Sequence, residues 1–273
     1  MTFPILARAA PIFPTDVIEY FGNILRKVMA ERRQAGIVTQ DDMVYVFSEL
    51  HEKTNTPEFK QLGITEQTVV AQALVFLFAG YETLATTMTM LCYQLAMNPD
   101  KQEKLAVEID SFWAASGEHI DYDKLRELPY LDACLSETLR ITPPFIRSER
   151  VCEKDWKHEE SGLAIKKGTV VMIPAHAVHN NEKYWPEPEK FIPERFLPEN
   201  KDNINQYAFL PFGAGPRNCI GSRFAKQEMV LVMAKLLKEF SVDTTPETKI
   251  VYRPGRQFVV QYDPLMLRFC RRK

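Results

Sequence analysis

From Phe212 to Gly221 the chain reads Phe212-Gly213-Ala214-Gly215-Pro216-Arg217-Asn218-Cys219-Ile220-Gly221, a glycine-rich loop with a single cysteine that leads directly into an amphipathic helix. No other segment constrains the fold as tightly. Backbone N–H groups at a helix N-terminus are unpaired and carry positive partial charge, so they favour a thiolate over a thiol. Gly213, Gly215 and Gly221 permit turns with positive φ and let the backbone lie against a flat partner, while Arg217 is a permanent cation suited to a carboxylate. Phe224, Met229, Val232, Met233, Leu236 and Phe240 recur on one face of the following helix. Cys219 taken alone reads as an incidental thiol in a Gly-Pro turn. Set at a helix N-terminus beside these glycines and Arg217, it can also serve as a soft anionic ligand for a flat, carboxylate-bearing group.

The rest of the chain divides near residue 141. Before it, helical periodicity dominates: Val17, Ile18, Phe21, Leu25, Val28 and Met29 step by threes and fours between Thr15 and Arg33. A charged connector with Pro57 and Gly63 follows, then Thr65-Glu66-Gln67-Thr68 as a capping box opening a long helix through Met97. Asp100 to Ala115 and Leu131 to Ile141 read as further helices. Pro143 to Asn205 is rich in proline, with strand-like pieces such as Gly168 to Pro174, and reads as an extended meander. The tail from Ile250 to Phe269 reads as a terminal hairpin. The fold class expected is mainly α with minor β.

Composition excludes several classes. With 34 basic and 36 acidic residues, the net charge of −2 provides no field to attract nucleic acid. Cys92, Cys134, Cys152, Cys219 and Cys270 are an odd set with no C-x-x-C pair, which speaks against a disulfide framework or a zinc ribbon. His176 and His179 lack a further ligand and read as ordinary polar residues of the meander. Met1 to Ala10 resembles neither a signal nor a transit peptide. The apolar run Val69 to Ala79 falls well short of the ~20 residues of a spanning helix, so no part of the chain is expected to cross a membrane.

The loop resembles the haem-binding signature F-x-x-G-x-R-x-C-x-G of the cytochrome P450 superfamily, matched at Phe212, Gly215, Arg217, Cys219 and Gly221. A haem has both the flat face and the propionates that the loop calls for. The resemblance makes Cys219 the axial thiolate on the haem iron and Arg217 a propionate partner. Phe212, Gly213, Ile220, Gly221 and Ala225 then line the cofactor. Glu137-Thr138-Leu139-Arg140, alone no more than a solvated i,i+3 pair, joins Arg195 of Pro193-Glu194-Arg195-Phe196 in the family's buried charge network. Ala79-Gly80-Tyr81-Glu82-Thr83 resembles the family's oxygen-activating helix. Gly80 costs that helix about 1 kcal/mol, Ala79 and Thr83 share a face beside the haem, and the Thr83 hydroxyl can bond the Ala79 carbonyl. The resemblance assigns Thr83 to steadying dioxygen and its water, and Glu82 to proton delivery. It also offers Arg150 as a second propionate partner and Phe78, Phe145, Ile146 and Phe258 as substrate contacts. For these four, packing in the core is the plainer reading.

The resemblance is nearest to the microsomal family 3 clan and implies a haem b monooxygenase oxidising lipophilic xenobiotics or steroids. Its electrons would come from NADPH through cytochrome P450 reductase, with cytochrome b5 as a further partner and the endoplasmic reticulum membrane as location. It covers only the family's C-terminal portion, read as one haem domain: 1–141 helical, 142–211 short strands and meander, 212–240 ligand loop and helix, 241–273 terminal β. The family's anchor, first sheet and distal lid helices are not represented. Peripheral membrane contact is left to the apolar Phe3-Pro4-Ile5-Leu6 and Pro11-Ile12-Phe13. Two alternatives stand beside this reading: a haem-thiolate isomerase or dehydratase, against which Glu82 and Thr83 argue, and a truncated, non-catalytic fragment.

Overall fold

The computed structural model describes residues 15–36, 42–117, 122–253 and 259–272. The apolar stretches 3–6 and 11–13, and Phe258, lie outside them. The chain forms two compact units, one up to Glu82 and one from Thr83, divided within a single long helix.

In the first unit, α1 spans Thr15–Gln34, as its apolar spacing predicts, and buries Gly22 and Met29. The expected connector instead holds two helices, α2 Met43–Lys53 and α3 Pro57–Gln61. Both have local causes that a reading weighted towards charge passes over. The Asp42 carboxylate accepts the Tyr45 N–H at 2.9 Å, and the Thr56 hydroxyl accepts that of Phe59 at 3.4 Å. Pro57 sits in the first turn, where its missing N–H costs nothing. Phe47 of α2 is then buried with Val69 and Ala73.

Those two residues belong to α4, Glu66–Met97. Its start is a reciprocal threonine cap: Thr68 N–H donates to the Thr65 hydroxyl at 3.3 Å, and Thr65 N–H to the Thr68 hydroxyl at 3.2 Å. Thr68 thus takes the place of the usual Glu or Gln. The apolar run inside α4 is short, but the whole helix is long and apolar enough to cross a membrane by length and composition. Val69, Val70, Ala73 and Leu74 are nonetheless buried in the first unit, and Leu84, Met90, Leu91 and Leu95 in the second.

The second unit packs the end of α4 with α5 (Pro99–Ser116), α6 (Pro129–Ile141) and α8 (Ser222–Glu239). Leu91, Leu95, Leu105, Ile109, Leu131, Leu135, Met229, Met233 and Leu237 share one core. The buried stripe of α8 is Met229, Val230, Met233, Ala234 and Leu237, whereas Phe224 and Val232, expected on that face, point outward. The register of the helix therefore differs from the expectation by about one position.

Between α6 and α8 the expected meander holds β1 (Ser148–Val151) antiparallel to β4 (Val170–Ile173), pairing Ser148 with Ile173 and Val151 with Val170. A smaller ribbon pairs β2 (Trp156–Lys157) with β3 (Ala164–Ile165). A short helix, α7 (Ala175–His179), and 3-10 turns at Pro193–Phe196 and Pro198–Asn203 complete the segment. The terminal pairing joins β5 (Phe240–Thr244) to β6 (Leu267–Arg271), wider than the hairpin expected over residues 250–269. Among the described residues of that span, β6 takes only the last three, and the one pairing within the span is an isolated bridge, Tyr252 to Tyr262.

Candidate functional site

The second unit is organised around a buried ion pair. Glu137 and Arg140 lie one turn apart on α6 with both side chains 0% exposed. The guanidinium grips the carboxylate in a fork, Nε to Oε2 at 2.7 Å and Nη2 to Oε1 at 2.9 Å. Its other donors reach three backbone carbonyls of the meander: His179 at 2.9 Å, Pro188 at 2.7 Å and Lys190 at 3.3 Å. Glu137 Oε1 also accepts the Ile192 N–H at 3.0 Å. Arg195 closes the group with Nε 3.4 Å from Glu137 Oε1, while its Nη2 donates to the carbonyls of Pro186 and Glu187. The three predicted network residues therefore do meet. What they hold is the backbone path between His179 and Arg195, which leads on to the cysteine loop.

Three supports of this framework escaped the sequence reading. His179 is fully buried rather than an ordinary polar residue: its Nε2 accepts the Leu210 N–H at 2.7 Å, and its ring lies 5.5 Å from Phe209. Burial and the neighbouring Arg140 cation push its pKa down to about 4, so it is neutral, with the proton on Nδ1. Glu108 of α5 accepts the N–H groups of Tyr130 and Leu131 at 2.8 and 2.9 Å, capping α6 from another helix. Burial raises its pKa, against those two bonds. Glu194 Oε1 receives Lys104 at 3.0 Å, Lys101 at 3.4 Å and the Tyr130 hydroxyl at 3.1 Å, tying the Pro193–Phe196 turn to α5 and α6.

The cysteine loop closes on itself. Cys219 N–H donates to the Phe212 carbonyl at 2.8 Å, and Asn218 N–H to that of Gly215 at 3.1 Å. Gly213 and Gly215 hold φ of 73° and 76°, the left-handed region that a side chain disfavours. Phe212 is half-buried against the main core and anchors one side of the loop. Cys219 is exposed, as is Arg217 at the end of the Gly215–Arg217 turn. Helix α8 begins at Ser222, with Gly221 as its N-cap and Ala225 half-buried in its first turn.

The remaining candidates are placed as follows. Along α4, Ala79 and Gly80 are exposed, Phe78, Glu82 and Thr83 half-buried, and the Thr83 carbonyl accepts the Thr87 hydroxyl at 2.8 Å. A Cβ added at Gly80 would meet nothing within 4 Å, so these small residues leave open space beside the helix. Phe78 contacts Phe21 edge-on at 5.7 Å within the first unit. Phe145 and Ile146 are exposed at 44% and 46%, so packing in the core does not account for them. Arg150 lies on β1, its Nη1 donating to the Glu149 carbonyl at 2.9 Å.

These features suit an iron porphyrin. Among the described residues no three His, Cys, Asp or Glu side chains gather to hold a bare ion, so Cys219 could give a metal one ligand only, as it would to an iron whose other positions a ring holds. Ile220 and Phe224 expose 89% and 69% of their surfaces beside Cys219, an apolar patch that asks for an apolar cover. A Cβ at Gly221 would meet nothing within 4 Å, which leaves room for a close approach.

Comparison with known proteins agrees. A family model described as Cytochrome P450 matches residues 14–269. Cytochrome P450 3A9 of Rattus norvegicus is 40% identical over 262 residues, which cover 96% of this chain and 51% of the relative. Cytochrome P450 3A13 of Mus musculus is 41% identical over the same length and shares. Cytochrome P450 3A12 of Canis lupus familiaris is 41% identical over 258 residues, 94% of this chain and 50% of the relative. The chain thus spans about half the length of the curated relatives it matches.

Proposed function

The chain belongs to the cytochrome P450 family, and from that premise we propose that it is a haem-thiolate monooxygenase acting on lipophilic xenobiotics or steroids. The observation that carries this reading is Cys219 itself, exposed on a self-closed loop between an arginine and an outward-facing apolar patch. The family brings haem b, and when bound it supplies reductive activation of dioxygen, one oxygen atom going to the substrate and the other to water.

The chain's own residues have distinct tasks in this proposal. Cys219 holds the iron and, as an anionic sulphur, pushes electron density towards it. Arg217 holds one propionate and Arg150 a second. Phe212 and Gly213 shape the loop, while Ile220, Gly221 and Ala225 give the apolar, close-fitting wall that excludes water. The Thr83 hydroxyl holds a proton in place and the Glu82 carboxylate supplies it from solvent. Glu137, Arg140 and Arg195 touch no substrate; they fix the meander that carries the loop. Phe78, Phe145 and Ile146 are assigned to substrate contact.

In this proposal the whole is a single haem domain at the endoplasmic reticulum membrane, taking NADPH electrons through a flavoprotein reductase, with cytochrome b5 as an accessory donor. The test is turnover of the haem-loaded chain with reductase, NADPH and a lipophilic substrate, comparing wild type with Thr83→Ala. NADPH-dependent hydroxylation that falls at least about tenfold in the variant, with NADPH consumption retained, supports the assignment. Product formed without NADPH would instead support an isomerase, and haem uptake without turnover a non-catalytic fragment.

A further inference from the structure

A cleft of about 610 Å³ lies beside the first turns of α8, bounded by residues 122–132 and the Phe196–Lys201 stretch. None of its lining belongs to the proposed haem pocket. The floor is apolar, built from Leu125, Leu128, Phe196 and Val230, whose side chains are mostly buried and turn their remaining surface to the cleft. The rim carries three cations, Lys201, Arg223 and Lys226, against a single carboxylate, Asp132. Among the described residues only Lys226 of the three is ion-paired, 3.3 Å from Asp132, and both members of that pair are about 40% exposed. Such a half-exposed pair is weak and exchangeable, so the rim keeps an excess of positive charge over an apolar base.

We propose that this cleft binds an amphipathic carboxylate: an extended apolar body with one anionic end. The volume lies within the range of about 300–1,000 Å³ typical of small-molecule sites. The floor takes the body for the usual hydrophobic reason. Arg223, planar and permanently charged, suits a carboxylate in two-pronged fashion, with Lys201 as a second, mobile charge. A neutral body of the same length gains the floor and not the rim, and a cationic one is repelled by it. The proposal is independent of the haem reading, because every group it uses lies outside the cysteine loop and its readouts need no haem.

The experiment titrates dodecanoate into the 273-residue chain, with dodecanol and dodecyltrimethylammonium as neutral and cationic probes of equal length. Affinity is read by calorimetry and location by methyl NMR of Leu125, Leu128 and Val230. The expected result is dodecanoate bound at least about tenfold more tightly than dodecanol, with those methyl signals shifting together. Lys201→Glu combined with Arg223→Glu changes only exposed side chains; it should weaken dodecanoate about tenfold or more and leave dodecanol within about twofold. Should that variant lose its far-UV spectrum, Arg223→Gln provides the same comparison with a smaller charge change. Equal affinity for dodecanoate and dodecanol, or shifts confined to Ile220 and its neighbours, would overturn the proposal. So would an affinity unmoved by the charge changes.

Discussion

Replacing Arg140 by Leu should be among the most damaging single changes in the second unit. The substitution leaves the Glu137 carboxylate at zero exposure with only the Ile192 N–H and the looser Arg195 contact, and strips donors from the carbonyls of His179, Pro188 and Lys190. Removing one partner of a buried ion pair costs about 3–5 kcal/mol, a large part of the 5–15 kcal/mol that typically holds a domain folded. With a urea slope of about 3 kcal/mol per molar, the unfolding midpoint falls by roughly 1–1.7 M. Trp185 is a built-in probe, since its buried ring lies 5.4 Å from the Arg140 guanidinium. Arg140→Lys should recover little, because an ammonium cannot reproduce the fork and the three carbonyl bonds at once. Combining Arg140→Met with Glu137→Gln should cost less than the two single changes added together, since each single leaves a charge stranded. If Arg140→Leu and Arg140→Lys each move stability by less than about 1 kcal/mol, the pair does not hold the meander and the reasoning fails.

Acid should weaken the fold through His179. Its folded pKa of about 4 lies below the ordinary 6.5, so above pH 6.5 the residue has no effect; between 6.5 and 4 the unfolded chain takes up a proton that the fold refuses. The loss reaches on the order of 3 kcal/mol at pH 4, and a His179→Asn variant should show a flatter decline in denaturation curves between pH 7.5 and 4.5. Glu108→Ala removes the cap on α6 and should cost about 1–2 kcal/mol in thermal unfolding, with faster amide exchange at Tyr130 and Leu131. Gly213→Ala forces a side chain into the left-handed region and should cost about 1 kcal/mol in the haem-free chain. Gly221→Ala, at φ −90° with open space around it, should cost the haem-free chain no more than about 0.5 kcal/mol in the same melts, the difference between glycine and the poorer N-cap alanine, and reduce haem uptake, read by absorbance titration.

Helices whose signals are local were legible. The apolar spacing of α1 and the threonine cap of α4 act within a few residues, and α5 and α6 form where they were expected, although they open on Pro99 and Pro129, one and two residues before the expected starts. The two small helices between residues 43 and 61 carried equally local caps at Asp42 and Thr56, but the charge of that stretch drew the reading towards a connector. The charge network was legible as composition and a resemblance, whereas its consequence was not. Arg140 is fixed by carbonyls up to 50 positions away, and no periodicity encodes them. The same holds for Gln102, whose amide pairs both backbone groups of Val242 across 140 positions, at 2.9 and 2.7 Å. The burial of His179 depends on the meander returning over it at Leu210, which the spacing of His176 and His179 says nothing about. At the cysteine loop the positive φ of Gly213 and Gly215 followed from sequence, while the φ of −90° at Gly221, the Cys219-to-Phe212 closure and the outward turn of Phe224 did not.

The most direct test is the visible spectrum of the chain titrated with haem, reduced and exposed to carbon monoxide, beside a Cys219→Ser variant. The account predicts one haem per chain and a strongly red-shifted Soret band that disappears in the variant. A band that survives Cys219→Ser, or stoichiometric haem uptake with no red shift in either protein, would contradict it.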